Sequence, residues 1–240
     1  MQRQLRAAGV FYADPGILRY PQLPLMPVLL RDNNPRWYRR RVIHRLAEAR
    51  EIYPEILLSE ENLLGGMHRY MTFGRDGAVY PGAQQRVAEA IALAGGGPAT
   101  LCLAMRDPAS FNVSTFGFQV LSGNEMALEQ FLRRRDPTDV NWAWLVKRLM
   151  TVPGVARIVV WRYEDYRALR PRILARMLPP ALAAQVPDIP PVNESLTQPG
   201  YDWFVAQALA DSEIDLRILG RDALARFPRA DGHAPLRLLS

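Results

Sequence analysis

The chain has 240 residues, 49% hydrophobic and 22% charged, enough for one large α/β domain or two small ones and unlike a disordered segment. Its single cysteine, Cys102, excludes a disulfide framework and a cysteine-based zinc site, and no run approaches the roughly 20 apolar residues of a membrane span. The net charge of +6 raises nucleic acid as a partner, but only Lys147 among the 30 basic residues is lysine. That arginine preference reads as coding bias, which weakens the nucleic-acid reading, and scattered arginines better match anionic small-molecule or phosphate ligands.

In chain order, apolar β-rich runs alternate with helical patterns. The N-terminus, MQRQLRAAGVFYADPG, shows no apolar h-region and no small-residue cleavage site, so a soluble, cytoplasmic protein is expected. A first short run, residues 9–13, ends in the turn signal Asp14-Pro15-Gly16 and a proline-rich connector. Helical periodicity follows at Val42, Ile43, Leu46 and Ala47, with Pro35 in the first turn and Asn34 as the expected cap. The basic run Arg36 to Arg41 opens that helix and reads as a solvated face. Residues 55–59 form a short buried strand opening into EENLLGG, and PGAQQRVAEAIALAGGG is a helix ended by glycines. The run 100–105 is a strand that ends at Arg106, and Ser114 follows eight positions later inside a helix. NWAWLVKRLMTVPG is a further helix leading to ARIVVW, a β-branched run at 156–161, and from Glu164 onward the pattern is helical and proline-broken.

Strands alternating with helices of this length predict one parallel sheet with helices on both faces, a three-layer α/β arrangement. Residues 1–163 carry the sheet core and 164–240 a mostly helical C-terminal part. Ligands of such sheets bind beyond the carboxyl ends of the strands, which directs attention to Ser59–Asn62, Arg106–Ser114 and Arg162–Asp165. His44, His68 and His233 have no metal-ligand spacing, so no metal is expected. No G-x-S-x-G elbow and no G-x-x-x-x-G-K-[ST] loop occurs, and Gly95-Gly96-Gly97 precedes a strand, where a phosphate-cradling loop does not sit.

RDPASFNVS resembles the motif of the PAPS-dependent sulfotransferases, in which R-[DN]-P and a serine eight residues after the arginine hold the 3′-phosphate of the co-substrate. VVWRYEDY (159–166) is similar to the strand and Y-E-D stretch near it, ILLSEENLLGG to the S-x-E segment of bacterial sulfotransferase-like proteins, LRAAGVFYADP to their L-x-x-x-G-V-x-Y-P stretch, and PVNESLT (191–197) to their N-x-S-L segment. The resemblance implies a P-loop-type parallel sheet, PAPS as co-substrate, and Arg106 and Ser114 on the 3′-phosphate. It also implies Tyr163 beside the adenine and Glu61 as the base that deprotonates a sugar, lipid or small-molecule acceptor. Glu60 and then His68 are fallbacks for that base, and Glu61 also reads as a carboxylate at a helix N-terminus.

The resemblance also implies a strand and a phosphosulfate-binding loop ahead of LRAAGV, and here only about ten residues precede Tyr12. Strands 55–59 and 100–105 are therefore expected to flank an empty sheet position, with the chain alone inactive. Either the true start lies upstream or the chain is a truncated relative. The rival functions are a catalytically inactive binding protein on the same scaffold and a nucleotide-dependent phosphotransferase, since fold likeness alone does not separate them.

Overall fold

A computed structural model describes residues 2–31, 34–66, 69–74, 76–123, 127–132, 135–188, 195–229, 232 and 234–236. His68, His233 and positions 191–194 of the PVNESLT segment lie outside the described residues. The elements in chain order are α1 (Gln2–Ala7), β1 (Val10–Ala13), α2 (Pro15–Leu18), α3 (Leu25–Leu30), α4 (Arg36–Ile52), β2 (Glu55–Leu58), α5 (Arg69–Thr72), α6 (Ala83–Leu93) and β3 (Ala99–Met105). They continue with α7 (Pro108–Leu121), α8 (Leu128–Leu132), α9 (Trp142–Met150), β4 (Val155–Arg162), a 3-10 turn (Tyr163–Asp165), α10 (Tyr166–Met177), α11 (Pro180–Ala183), α12 (Gln198–Ala210) and α13 (Leu216–Arg226). The chain divides into two compact units, one of Met1–Gly66, Tyr70–Met105 and Asn141–Pro187, the other of Met67–Arg69, Arg106–Val140 and Asp188–Ser240.

The first unit holds all four strands. β1 pairs with β2 in parallel, Val10 opposite Glu55 through Ala13 opposite Leu58. Alternation sends successive side chains to opposite faces. Val10, Tyr12 and Leu57 pack with Leu5 of α1 and with Leu178 and Leu182, while Phe11, Ala13, Ile56 and Leu58 join the larger core built on Leu25, Leu29, Val42, Leu46, Ala90 and Leu93. This strand pair is thus covered on both faces. α4 buries Val42, Leu46 and Ala49, the i, i+4, i+7 stripe of an amphipathic helix. Its entry differs from expectation: the cap position is Pro35, with no side-chain hydrogen bond, and the Asn34 amide instead donates back to the Pro27 and Arg31 carbonyls at the end of α3. α6 ends as its glycines predict, since Gly95 and Gly96 take φ of +96° and +76°, backbone that side-chain-bearing residues rarely adopt.

β3 pairs with β4, also in parallel, from Ala99 opposite Val155 to Met105 opposite Arg162. The one continuous sheet expected from the alternation of strands and helices is not formed: the described residues hold two separate two-stranded parallel sheets. β2 and β3, expected to stand apart, are not paired with each other, and among the described residues neither has a strand neighbour on its second edge. The consequence shows in burial. No residue of β3 or β4 is fully buried, although their apolar runs suit strands covered on both sides, and Val160 is 45% exposed.

Arginines tie the loops of this unit to carbonyl oxygens rather than to acids. Arg86 donates to the Leu64 carbonyl through Nε at 3.0 Å, and Arg148 of α9 reaches the carbonyls of Val79 and, at 3.3 Å, Tyr80. Burial lowers the Arg86 pKa and pushes the Tyr80 phenol up to about 12.

The second unit is a helical cluster. Phe116 of α7 stands 5.8 Å from Phe131 and 5.5 Å from Tyr201, ring centre to ring centre, and Phe131 and Phe204 are fully buried. Truncating either phenylalanine to alanine costs about 3–5 kcal/mol by the usual cavity penalty. The buried Asn112 amide donates to the Pro137 carbonyl at 2.6 Å, which fixes the loop beneath α7. Thr197 caps α12 by accepting from the Gly200 amide at 3.3 Å and donates to the Phe227 carbonyl at 3.0 Å.

Candidate functional site

The polar residues at the carboxyl ends of β1 and β2 form one connected cluster. Asp14, the first residue past β1, caps α2 by accepting from the Ile17 amide at 3.1 Å. Ser59, the first past β2, donates its amide to the Ala13 carbonyl at 2.9 Å, and its side chain hydrogen-bonds Tyr12. Burial raises the Tyr12 phenol, partly offset by Ser59. The next residue, Glu60, has a side chain only 1% exposed. It accepts from Arg19 Nε at 2.9 Å and Nη2 at 2.5 Å and from the Asn62 amide at 3.0 Å. Two guanidinium donors on two carboxylate oxygens are the strong, bidentate form of this contact.

Glu61, the expected base, is held by the same guanidinium, whose Nη2 donates to its Oε1. Burial pushes the Glu61 carboxyl up, yet a hydrogen bond from its own amide and the Arg19 charge hold it below its ordinary value. Arg19 is raised in turn, chiefly by its hydrogen bond to Glu60. The alternative placement of Glu61 at a helix N-terminus is corrected, since residues 61–62 form a turn and α5 starts only at Arg69. Arg19 itself was missed in sequence. It lies in the proline-rich connector, about 40 positions from its partners, and no local spacing marks it.

Arg106 follows β3 and Tyr163 follows β4 in the chain, and Ser114 lies within α7. The register Met105 opposite Arg162 ends the pairing one residue before Arg106 on β3 and one residue before Tyr163 on β4. The RDP and YED segments therefore leave paired strands at the same end. Asp107 caps α7, accepting from the Ser110 amide at 2.9 Å, and Pro108 fills the first helical position, so two letters of RDP are accounted for by helix initiation alone. Arg106 is half-buried. Ser114 is half-buried on the α7 stripe of Ser110 and Phe118, while Asn112, Thr115, Phe116 and Gln119 turn inward. Tyr163 is 52% exposed at the start of the 3-10 turn, and Arg162 stands 3.9 Å from Glu164 and 3.8 Å from Asp165. Arg106 and Ser114 belong to the second unit, and Glu61 and Tyr163 to the first. Among the described residues no three His, Cys, Asp or Glu side chains come together to hold a metal ion, and no helix is long and apolar enough to cross a membrane.

No protein-family model, curated protein or solved structure matches the chain.

Proposed function

We propose that this chain is sulfotransferase-like and serves the transfer of a sulfuryl group from PAPS to a hydroxyl or amine acceptor on a sugar, lipid or small molecule. The supporting observation is the β3–β4 register, which ends the pairing immediately before Arg106 on one strand and Tyr163 on the other. In this reading Arg106 and Ser114 hold the 3′-phosphate, Arg106 through charge-assisted hydrogen bonds, and Tyr163 lies beside the adenine. The acceptor oxygen or nitrogen forms a bond to sulfur as the bond from sulfur to the 5′-phosphate oxygen breaks. The acceptor proton passes to Glu61, and 3′-phosphoadenosine 5′-phosphate leaves.

A second reading, an inactive binding protein on the same scaffold, is favoured by the Arg19–Glu61 pairing. A carboxylate held low by a guanidinium is a weak base, so Glu61 acts in transfer only once an acceptor displaces Arg19. A phosphotransferase has no comparable support.

Calorimetric titration of 3′-phosphoadenosine 5′-phosphate into the wild type and into Arg106→Ala tests the site common to both sulfotransferase-scaffold readings. Hydrogen bonds to a charged group contribute about 1.5–3 kcal/mol, so Arg106→Ala weakens binding by roughly 10- to 100-fold. Equal affinity in the two proteins removes Arg106 from the site. Conversion of labelled PAPS to sulfated product by this chain would refute the inactive-scaffold reading.

A further inference from the structure

The outward side of α4 concentrates positive charge that the described residues around it only partly neutralise. Arg39 is paired with Glu89 and Arg45 with Glu48, whereas Arg31, Arg36, Arg40 and Arg41 make no ion pair among the described residues. Positions 37, 40, 41, 44 and 45 follow the i, i+3, i+4, i+7, i+8 pattern of one helix face and line a shallow cavity of about 580 Å³. A neighbouring hollow of about 490 Å³ has Arg31, Arg36 and Arg40 in its wall, and its one carboxylate, Glu89, is the partner of Arg39. Within this basic field stand two large apolar side chains, Trp37 and Ile43, each 48% exposed. The opposite stripe of the helix, Val42, Leu46 and Ala49, is committed to the core, so α4 stays in the fold and offers only its outer face.

We infer that this face docks on a membrane surface bearing anionic lipid headgroups. The charge complements an anionic leaflet, where each basic residue near the surface contributes attraction that falls off within a Debye length. The start of α4, where Pro35 provides no side-chain cap, adds partial positive charge. Tryptophan is favoured at the headgroup level, and exposed apolar side chains beside arginines are the composition of an interfacial helix face. Ile43 distinguishes this partner from nucleic acid. An isoleucine neither stacks on a base nor contacts a phosphate, while it does gain by leaving water for the acyl boundary. This inference is independent of the proposed transfer reaction.

Cosedimentation with vesicles of phosphatidylcholine containing about one-third phosphatidylserine, against pure phosphatidylcholine, measures it. The wild type binds the anionic vesicles and releases them as salt rises. About fivefold per basic residue predicts a loss of roughly 100-fold for the triple variant Arg36→Gln, Arg40→Gln, Arg41→Gln. Trp37→Ala weakens binding several-fold at constant charge. All four positions are exposed, and an unchanged circular dichroism spectrum establishes that the variants are folded. The inference is overturned if the wild type fails to bind anionic vesicles, binds both vesicle types equally, or binds as tightly without the three arginines. It is also overturned if a single-stranded oligonucleotide binds more tightly than the vesicles at the same salt.

Discussion

The Arg19→Ala substitution strips the Glu60 carboxylate of two of its donors while leaving it where it is. Glu60 is 1% exposed at its side chain and keeps the Asn62 amide, at 3.0 Å. Removing one partner of a fully buried ion pair costs about 3–5 kcal/mol, because the remaining charge stays out of water. An exposed pair is worth at most about 1 kcal/mol. The Arg19 side chain is 41% exposed, so water enters the space it vacates and rehydrates part of the carboxylate. The expected cost therefore falls between these limits, at about 2 kcal/mol. With a urea slope of about 3 kcal/mol per molar, the unfolding midpoint drops by roughly 0.7 M. Urea titration followed by circular dichroism measures it, and the same substitution in a Glu60→Gln background isolates the charge, where the cost shrinks to below about 1 kcal/mol. An unchanged midpoint in Arg19→Ala, or an equal drop in both backgrounds, refutes the view that a buried carboxylate depends on this guanidinium.

The Glu61 carboxyl is held below its ordinary value, so its contribution to stability is present above its unfolded pKa and is lost as pH falls through the lower folded one. Urea midpoints between pH 6 and about 3 therefore fall less steeply in Glu61→Gln than in the wild type. Asp107→Ala removes the α7 cap and costs about 1 kcal/mol, read from the thermal midpoint, whereas Asp107→Asn retains most of the stability. Hydrogen exchange on β2 and β3 separates amides directed at β1 and β4, which are protected, from those at the open edges, which exchange fast. Uniform protection along β3 would mean that another segment pairs with that edge.

Local chemistry made much of this chain legible from its residues alone. β1 to β4 lie within a residue or two of the apolar runs that mark them, because a strand's pattern is written in its own side chains. Gly95 and Gly96 end α6, since helix stops act over three or four positions. Asn34 shows where such rules fail: its amide has a choice of partners, and the carbonyls of Pro27 and Arg31, brought near by the turn after α3, take it from the helix it was expected to cap. Pairing was beyond the sequence for the same reason. Leu57 and Leu103 each suit a strand interior, but which edge of that strand finds a neighbour depends on segments far away in the chain, and here it separates one expected sheet into two. At the candidate site, Glu61 was recognisable by its place beyond a strand, yet its charge environment is set by Arg19, 42 residues away. Electrostatic partnership depends on distance in space, and only the tertiary fold determines that.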